Sequence, residues 1–98
     1  KLVILKIMIK KWPEIIMYSR PLCSDCIRSK NFLENNQIPF KEINILEKAS
    51  SIEEMKKINK GRESVPTIII NNNTVIIEPT DYDLMKAITK ELNITETQ

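Results

Sequence analysis

The stretch YSRPLCSDC, residues 18–26, is the most informative segment of this chain. It continues the apolar run IIMY at residues 15–18, which is rich in strand formers and closes at Ser19-Arg20-Pro21. That run predicts a buried strand. From Ser24 onward the apolar side chains recur at helical spacing, until Ile38-Pro39 ends the helix. The two cysteines therefore lie where a strand passes into a helix.

The spacing of Cys23 and Cys26 indicates a redox pair. Two intervening residues at a helix start allow both sulfurs to lie on one face, within reach of a disulfide. Cys23 would lie at the helix N-terminus, where unpaired N–H groups and the helix dipole favour a thiolate. Cys26, one turn inside, should be less exposed and less acidic. We therefore predict that Cys23 attacks a substrate disulfide and that Cys26 resolves the mixed disulfide by closing a Cys23–Cys26 bond.

Two charges close to the cysteines act in opposite directions on that thiolate. Arg20, three residues before Cys23, can stabilise it, whereas Asp25 opposes it while interacting favourably with the helix dipole. Their balance depends on geometry.

The composition excludes several other chemistries. The chain has 98 residues, two Cys, one Gly and no His, which indicates one small domain and removes every His-based general base or Cys-His pair. A zinc site needs four ligands, and the chain offers only two Cys and no His, so we expect no metal site. The net charge of +2 gives no general case for binding nucleic acid.

The apolar N-terminal stretch at residues 2–9 is shorter than the roughly 20 residues that span a bilayer. It also lacks a small-residue cleavage site, so a secretory signal is a poor match. We expect no membrane association and a cytoplasmic location. Residues 1–13 are predicted to form an extension, either an extra edge strand or a short helix.

The rest of the chain predicts further strands and helices. A second strand covers residues 40–45, and a capping box of Ser50-Ser51 with Glu53-Glu54 begins a helix that runs to about Lys60, with Gly61 as its C-terminal cap. Residues 64–70 and 74–77 form a hairpin around Asn71-Asn72-Asn73. A last helix begins at residues 79–81, with Thr80 or Asp81 as N-cap.

This order, a βαβ unit followed by ββα, predicts the α/β class with a four-stranded mixed sheet and about three flanking helices. We expect the domain to cover residues 14–92, with a tail at residues 93–98.

Together these features resemble the glutaredoxin family of the thioredoxin fold. The resemblance rests on residues 18–26, on the SVPT segment at residues 64–67 and on the closing helix from Leu84 onward, and it covers about residues 14–92. Pro66 opens a strand, and local pattern alone favours an ordinary edge-strand proline. The resemblance implies instead that Val65-Pro66 is a cis bond facing Cys23, with the Val65 backbone pairing with a bound peptide or glutathione.

The resemblance also implies a binding site for a small thiol. Arg20 and Arg62 match positions that contact the glycine carboxylate of glutathione, and Asp81 or Asp83, next to Thr80, lies near its glutamyl end. Two segments depart from the family pattern. Ser24-Asp25 replaces the usual Pro-Tyr, and Glu78-Pro79-Thr80 replaces a Gly-Gly pair. The pattern is most similar to the short group that includes mycoredoxins and the hydrogen donors of ribonucleotide reductase.

The predicted function is that of an enzyme, a glutaredoxin-like thiol-disulfide oxidoreductase that reduces protein disulfides or mixed disulfides. We expect a monomer without a bound cofactor, recycled by glutathione, another small thiol or a flavin-dependent reductase. One alternative is an iron–sulfur carrier that uses one Cys per subunit with glutathione. Another is a relative of the arsenate-reductase-like regulators, although the short chain and its ending of hairpin then helix favour glutaredoxin.

Overall fold

A computed structural model describes the backbone of residues 9–94 and the side chains of residues 12–92. In chain order, the strands and helices are β1 (Ile9–Lys11), β2 (Ile15–Ser19), α1 (Ser24–Asn35), β3 (Lys41–Asn44), α2 (Ala49–Ile58), β4 (Thr67–Ile70), β5 (Thr74–Ile77), α3 (Asp81–Lys90) and β6 (Asn93–Ile94). No helix in this part of the chain is long and apolar enough to cross a membrane.

The central sheet has four strands in the order β3-β2-β4-β5. β2 runs parallel to β3, with Tyr18 opposite Ile43, and antiparallel to β4, with Met17 opposite Ile68. β4 and β5 form the antiparallel hairpin. The predicted thioredoxin-like arrangement, a mixed sheet with three helices in the described residues, is confirmed.

Successive side chains of the central strands point to opposite faces of the sheet, so the core is divided into two parts, one on each face. Met17 and Ile68 join the cluster that contains Leu33 of α1 and Leu84 of α3. Tyr18 and Ile69, their chain neighbours, join a second cluster with Met55 of α2. α1 and α3 therefore cover one face and α2 covers the other. A slip of one residue in β2 would move each of its side chains to the opposite cluster.

The terminal strands form a sheet of their own. β1 pairs antiparallel with β6, placing Ile9 opposite Ile94, and this two-stranded sheet is separate from the central one. The expected extension thus contains a strand at residues 9–11, but that strand does not join an edge of the main sheet. Residues 1–8 and 95–98 of the predicted extension and tail lie outside the described residues.

The two later helices begin differently. Thr80 is the N-cap of α3: its side chain accepts from Asp83 N at 3.0 Å, and the Asp83 carboxylate accepts from Thr80 N at 3.3 Å. The capping box predicted for α2 is wrong. α2 begins at Ala49 after the N-cap residue Lys48, which provides no side-chain cap, so the serines lie inside the helix.

The physical reason for the different start of α2 is the turn that precedes it. Asn44 closes this turn, because its side chain accepts from Leu46 N and its carbonyl accepts from Glu47 N. Only Lys48 then separates the turn from the helix. At the other end, the C-cap is Asn59 rather than Gly61. Gly61 still closes the end, with a φ of 91° and an N–H donated to the Lys56 carbonyl, as in a Schellman motif.

Candidate functional site

The cysteines lie at the junction of β2 and α1. The connecting turn passes through Leu22, which has a φ of 58° and a fully exposed side chain. Cys23 is the N-cap of α1: its sulfur accepts from Cys26 N at 3.1 Å, and its carbonyl accepts from Ile27 N at 3.0 Å. The structure joins Cys23 and Cys26 in a disulfide, with Cα atoms 5.2 Å apart. The N-cap bond gives the Cys23 sulfur a backbone donor that would also stabilise a thiolate.

The two sulfurs differ in access. Cys26 is 4% exposed and packs in the core cluster with Tyr18, Met55 and Val65. Cys23 is only partly buried at the edge of that cluster. An incoming disulfide can therefore reach Cys23, whereas Cys26 is suited to attack within the molecule.

The Val65-Pro66 segment faces the disulfide from the start of β4. The Val65-Pro66 peptide bond is cis, the isomer that the resemblance implies. The Cys23 sulfur lies 3.8 Å from the Val65 carbonyl oxygen, and the Pro66 carbonyl accepts from Glu78 N at 2.9 Å. The structure thus brings Cys23, Cys26, Val65 and Pro66 together, and the backbone of Glu78 contacts Pro66.

The two predicted arginines occupy different surroundings. Arg20 is exposed and lines a groove with Cys26, Ile27 and Glu47, on the side of the disulfide that faces β3. Arg62 is exposed in the segment between α2 and β4. Within residues 12–92, no hydrogen bond or ion pair joins Arg62 to either cysteine. Arg20 also has no hydrogen bond or ion pair with a cysteine in that range. The shared groove therefore puts Arg20 near Cys26, and Arg62 lies outside that groove.

The predicted thiol-binding residues at the start of α3 are linked to the cysteine helix by Arg28, which sequence reasoning missed. Arg28 Nη2 donates to the Pro79 carbonyl at 3.2 Å, and Arg28 Nη1 lies 3.1 Å from Asp25 Oδ1. Pro79 immediately precedes Thr80, whose hydroxyl caps α3, and the exposed Asp81 is in the first turn. The i,i+3 spacing between Asp25 and Arg28 is the one sequence signal for this link, and it gives no indication of the contact to Pro79.

Glu78 has a backbone conformation that glycine favours. Its φ of 49° lies in the left-handed region, which L-residues adopt at a cost and glycine adopts freely. Its exposed side chain adds a negative charge next to the Val65-Pro66 segment.

Tyr18 lies on the β2 side of the cysteines in the same core cluster. Burial raises the pKa of Tyr18 above its ordinary value of 10.0, and the negative charge of Glu54 and its hydrogen bond with Tyr18 raise that pKa further. Tyr18 Oη donates to Glu54 Oε1 at 3.4 Å. The phenol therefore stays neutral at physiological pH and contributes packing rather than charge.

Known proteins share both the sequence pattern and the fold. Residues 15–75 match the Glutaredoxin family profile. Global transcriptional regulator Spx 1 of Bacillus cereus is 34% identical over 70 residues, covering 71% of this chain and 53% of the regulator. The chain spans about half the length of the curated relatives it matches.

Two solved glutaredoxins have a similar structure. The protein from Archaeoglobus fulgidus is 21% identical with a TM-score of 0.63, and the alignment covers 80% of this chain and 87% of that one. The protein from Brucella melitensis is 26% identical with a TM-score of 0.58, over 82% and 83% of the two chains. Because the family profile spans more than half of its residues and includes both cysteines, this chain belongs to the glutaredoxin family.

Proposed function

We propose that this protein is a thiol-disulfide oxidoreductase that reduces protein disulfides or mixed disulfides with small thiols. The single observation that supports this most strongly is the unequal exposure of a bonded cysteine pair at a helix N-terminus, with Cys23 accessible and Cys26 4% exposed. Such an arrangement provides one sulfur that can attack the substrate disulfide and a second sulfur that can release the substrate from the mixed disulfide.

The reaction begins from the reduced dithiol. The Cys23 thiolate attacks one sulfur of the substrate disulfide, forming a mixed disulfide and releasing the other substrate sulfur as a thiolate. Cys26, after losing its proton, attacks Cys23 and releases the second substrate thiolate. The substrate gains two electrons, the two cysteines lose two, and the Cys23–Cys26 disulfide forms. The donor from Cys26 N at 3.1 Å stabilises negative charge on Cys23 at the start and when the pair is reduced again.

Recycling needs an external reductant, either glutathione or another small thiol, or a flavin-dependent reductase. Arg20 beside the disulfide and the Val65 backbone offer contacts to a bound thiol or peptide. Glu78 opposes glutathione, since it puts a carboxylate where the family has glycine and glutathione itself carries two carboxylates. We infer that this chain works as a cytoplasmic monomer whose reductant is selected partly by that charge.

Cysteine substitutions test this function directly. Cys23→Ser is expected to abolish reduction of a model protein disulfide, whereas Cys26→Ser should accumulate a mixed disulfide detectable by mass spectrometry. Ser24→Ala, a change in the same helical turn, serves as the matched control and should retain turnover. Full activity of Cys23→Ser would contradict the proposal. Running glutathione-linked and thioredoxin-reductase-linked assays side by side identifies the reductant.

The similarity to Spx regulators supports a second candidate function, in which the same disulfide reports redox state within transcriptional regulation. In that case the purified protein would show negligible turnover with either reductant. Expression of the wild-type chain would change transcript levels in oxidant-treated cells, and the Cys23→Ser/Cys26→Ser chain would not. High turnover with unchanged transcripts favours the enzyme.

The alternative function as an iron–sulfur carrier depends on bound glutathione as a cluster ligand. Glu78 weakens such a site, because its carboxylate and its Cβ both lie where the family has glycine. Anaerobic reconstitution with iron and sulfide, followed by visible absorption, separates this function from the enzyme. We expect a colourless monomer.

A further inference from the structure

We propose that Arg28 is a positioning residue for the Cys23 reaction, acting through Asp25 and the Pro79 carbonyl. This proposal deepens the proposed oxidoreductase function and rests on it. Arg28 is the one residue of α1 that the structure connects both to the segment between the cysteines and to the segment before α3, within the described residues.

The geometry gives each end of the Arg28 guanidinium a separate partner. Nη1 lies 3.1 Å from Asp25 Oδ1, and Nη2 donates to the Pro79 oxygen at 3.2 Å. A planar guanidinium can hold two partners in fixed directions, whereas a lysine ammonium is a single point of charge. Arg28 therefore restrains a side chain between the two cysteines and a backbone segment that lies 51 residues away along the chain.

The contact between Arg28 and Asp25 affects the Cys23 thiolate because Asp25 carries a negative charge between the two cysteines. Asp25 occupies the first turn of α1, where free backbone N–H groups attract a carboxylate just as they attract the Cys23 sulfur. Arg28 lies one turn further along the helix, so an Asp25 carboxylate bound to it is drawn toward the helix body. Without Arg28, that carboxylate is free to compete with Cys23 for the same donors and to repel its negative charge.

The contact to Pro79 adds a second effect, on the substrate side. Pro79 lies between Glu78, which bonds to the Pro66 carbonyl, and Thr80, which caps α3. The bond to its carbonyl adds a polar link between the cysteine helix and the segment that leads into Thr80 and Asp81, the residues predicted to bind a thiol. Loss of this contact should raise KM for a protein disulfide substrate. Loss of the Asp25 contact should instead make the Cys23 thiolate harder to form.

A double-mutant cycle on the full-length reduced chain tests the proposal. The variants are Arg28→Gln and Asp25→Asn, separately and together, with Arg28→Lys as the charge-conserving comparison. The readout is the pH dependence of Cys23 alkylation by iodoacetamide, assigned to Cys23 by peptide mass spectrometry. It reports thiolate formation whether or not the protein turns over a disulfide, so failure of the proposed function would leave this measurement intact. KM for the model protein disulfide is measured separately and requires turnover.

The expected result is coupling between the two positions. Arg28→Gln should move the alkylation midpoint of Cys23 upward by roughly 0.5 pH units in the wild-type background, and by no more than about half as much in the Asp25→Asn background. The charged groups common to all variants cancel in this comparison. Those in the surrounding segments include Arg20, Lys30, Glu42, Glu47, Glu54, Arg62, Glu78, Asp81 and Asp83. Arg28→Lys should have an alkylation midpoint close to that of wild type, because it keeps the charge. Its KM for the model protein disulfide should still be about twofold or more above wild type.

Three outcomes would overturn the proposal. Equal shifts in the wild-type and Asp25→Asn backgrounds would mean that Arg28 acts only as a positive charge. An unchanged midpoint and KM in Arg28→Gln would mean that it has no role at the site. Complete restoration of both quantities by Arg28→Lys would refute the need for two directed contacts. Both side chains are partly exposed, at 46% and 40%, so the variants should fold, and circular dichroism of each verifies this.

Discussion

Replacing Glu78 with glycine should stabilise this protein, even though it deletes a side chain. The backbone of Glu78 has a φ of 49°, in the left-handed region, and an L-residue there costs roughly 1–2 kcal/mol. Glycine removes that cost but loses about 0.5–1 kcal/mol through its greater freedom in the unfolded chain. The bond from residue 78 N to the Pro66 carbonyl survives, because it uses only backbone atoms.

The net gain is therefore about 0.5–1 kcal/mol, which in a domain of this size raises Tm by roughly 4 °C. Thermal and urea unfolding of the oxidised protein, followed by circular dichroism, measure it. Glu78→Ala also removes the charge but keeps a Cβ, so the difference between Gly and Ala isolates the backbone contribution. Glu47→Gly, at an exposed position without a positive φ, should lower stability. If Glu78→Gly is no more stable than Glu78→Ala, the strain assigned to residue 78 is wrong.

Three further substitutions test the packing, capping and titration described above. Leu33→Ala, at a side chain with 0% exposure, should lower the free energy of unfolding by about 2–5 kcal/mol in urea titrations, whereas Leu22→Ala at a fully exposed position should change it by less than about 0.5 kcal/mol. Thr80→Ala removes the N-cap of α3 and should lower the free energy of unfolding by about 1 kcal/mol in the same measurement, whereas Thr89→Ala inside that helix should not lower it. The raised pKa of Tyr18 means that native Tyr18 keeps its proton above pH 10.0 while the unfolded chain loses it, so stability falls as pH rises beyond that value. Unfolding from about pH 9 to about pH 11 should show a smaller decline in Tyr18→Phe, and identical slopes would contradict the assignment.

The parts of the fold that can be predicted from the sequence are those fixed by local chemistry. The three asparagines at residues 71–73 predict a turn because Asn tolerates positive φ, and Asn71 and Asn72 have φ values of 55° and 64°. Thr80 is one of the two N-caps expected for α3, since its hydroxyl can reach the N–H three residues on. The strand-to-helix change at residues 18–26 follows from the run of strand formers that ends there and from the helical spacing of apolar residues after it.

The remaining features depend on contacts between residues that local patterns do not relate. The serines at residues 50 and 51 have the composition of a capping box, but the turn closed by Asn44 starts α2 earlier than that pattern does. The long-range partner of Arg28 is the backbone carbonyl of Pro79, and such a contact does not depend on which side chain that residue carries. The pairing of β1 with β6 joins segments from opposite ends of the chain, and no local pattern specifies such a pair.

The pairing of β1 with β6 means that the strands and helices could be connected in a different chain order without changing how they pack. Residues 9 and 94 are paired across two neighbouring strands, so in a chain limited to residues 9–94 a short linker could connect residue 94 to residue 9. New termini could then be opened in the exposed turn at residues 71–73. The resulting circular permutant would begin with β5 and α3, pass through the linked terminal strands, and still build the cysteine helix from an uninterrupted β2-α1-β3 segment.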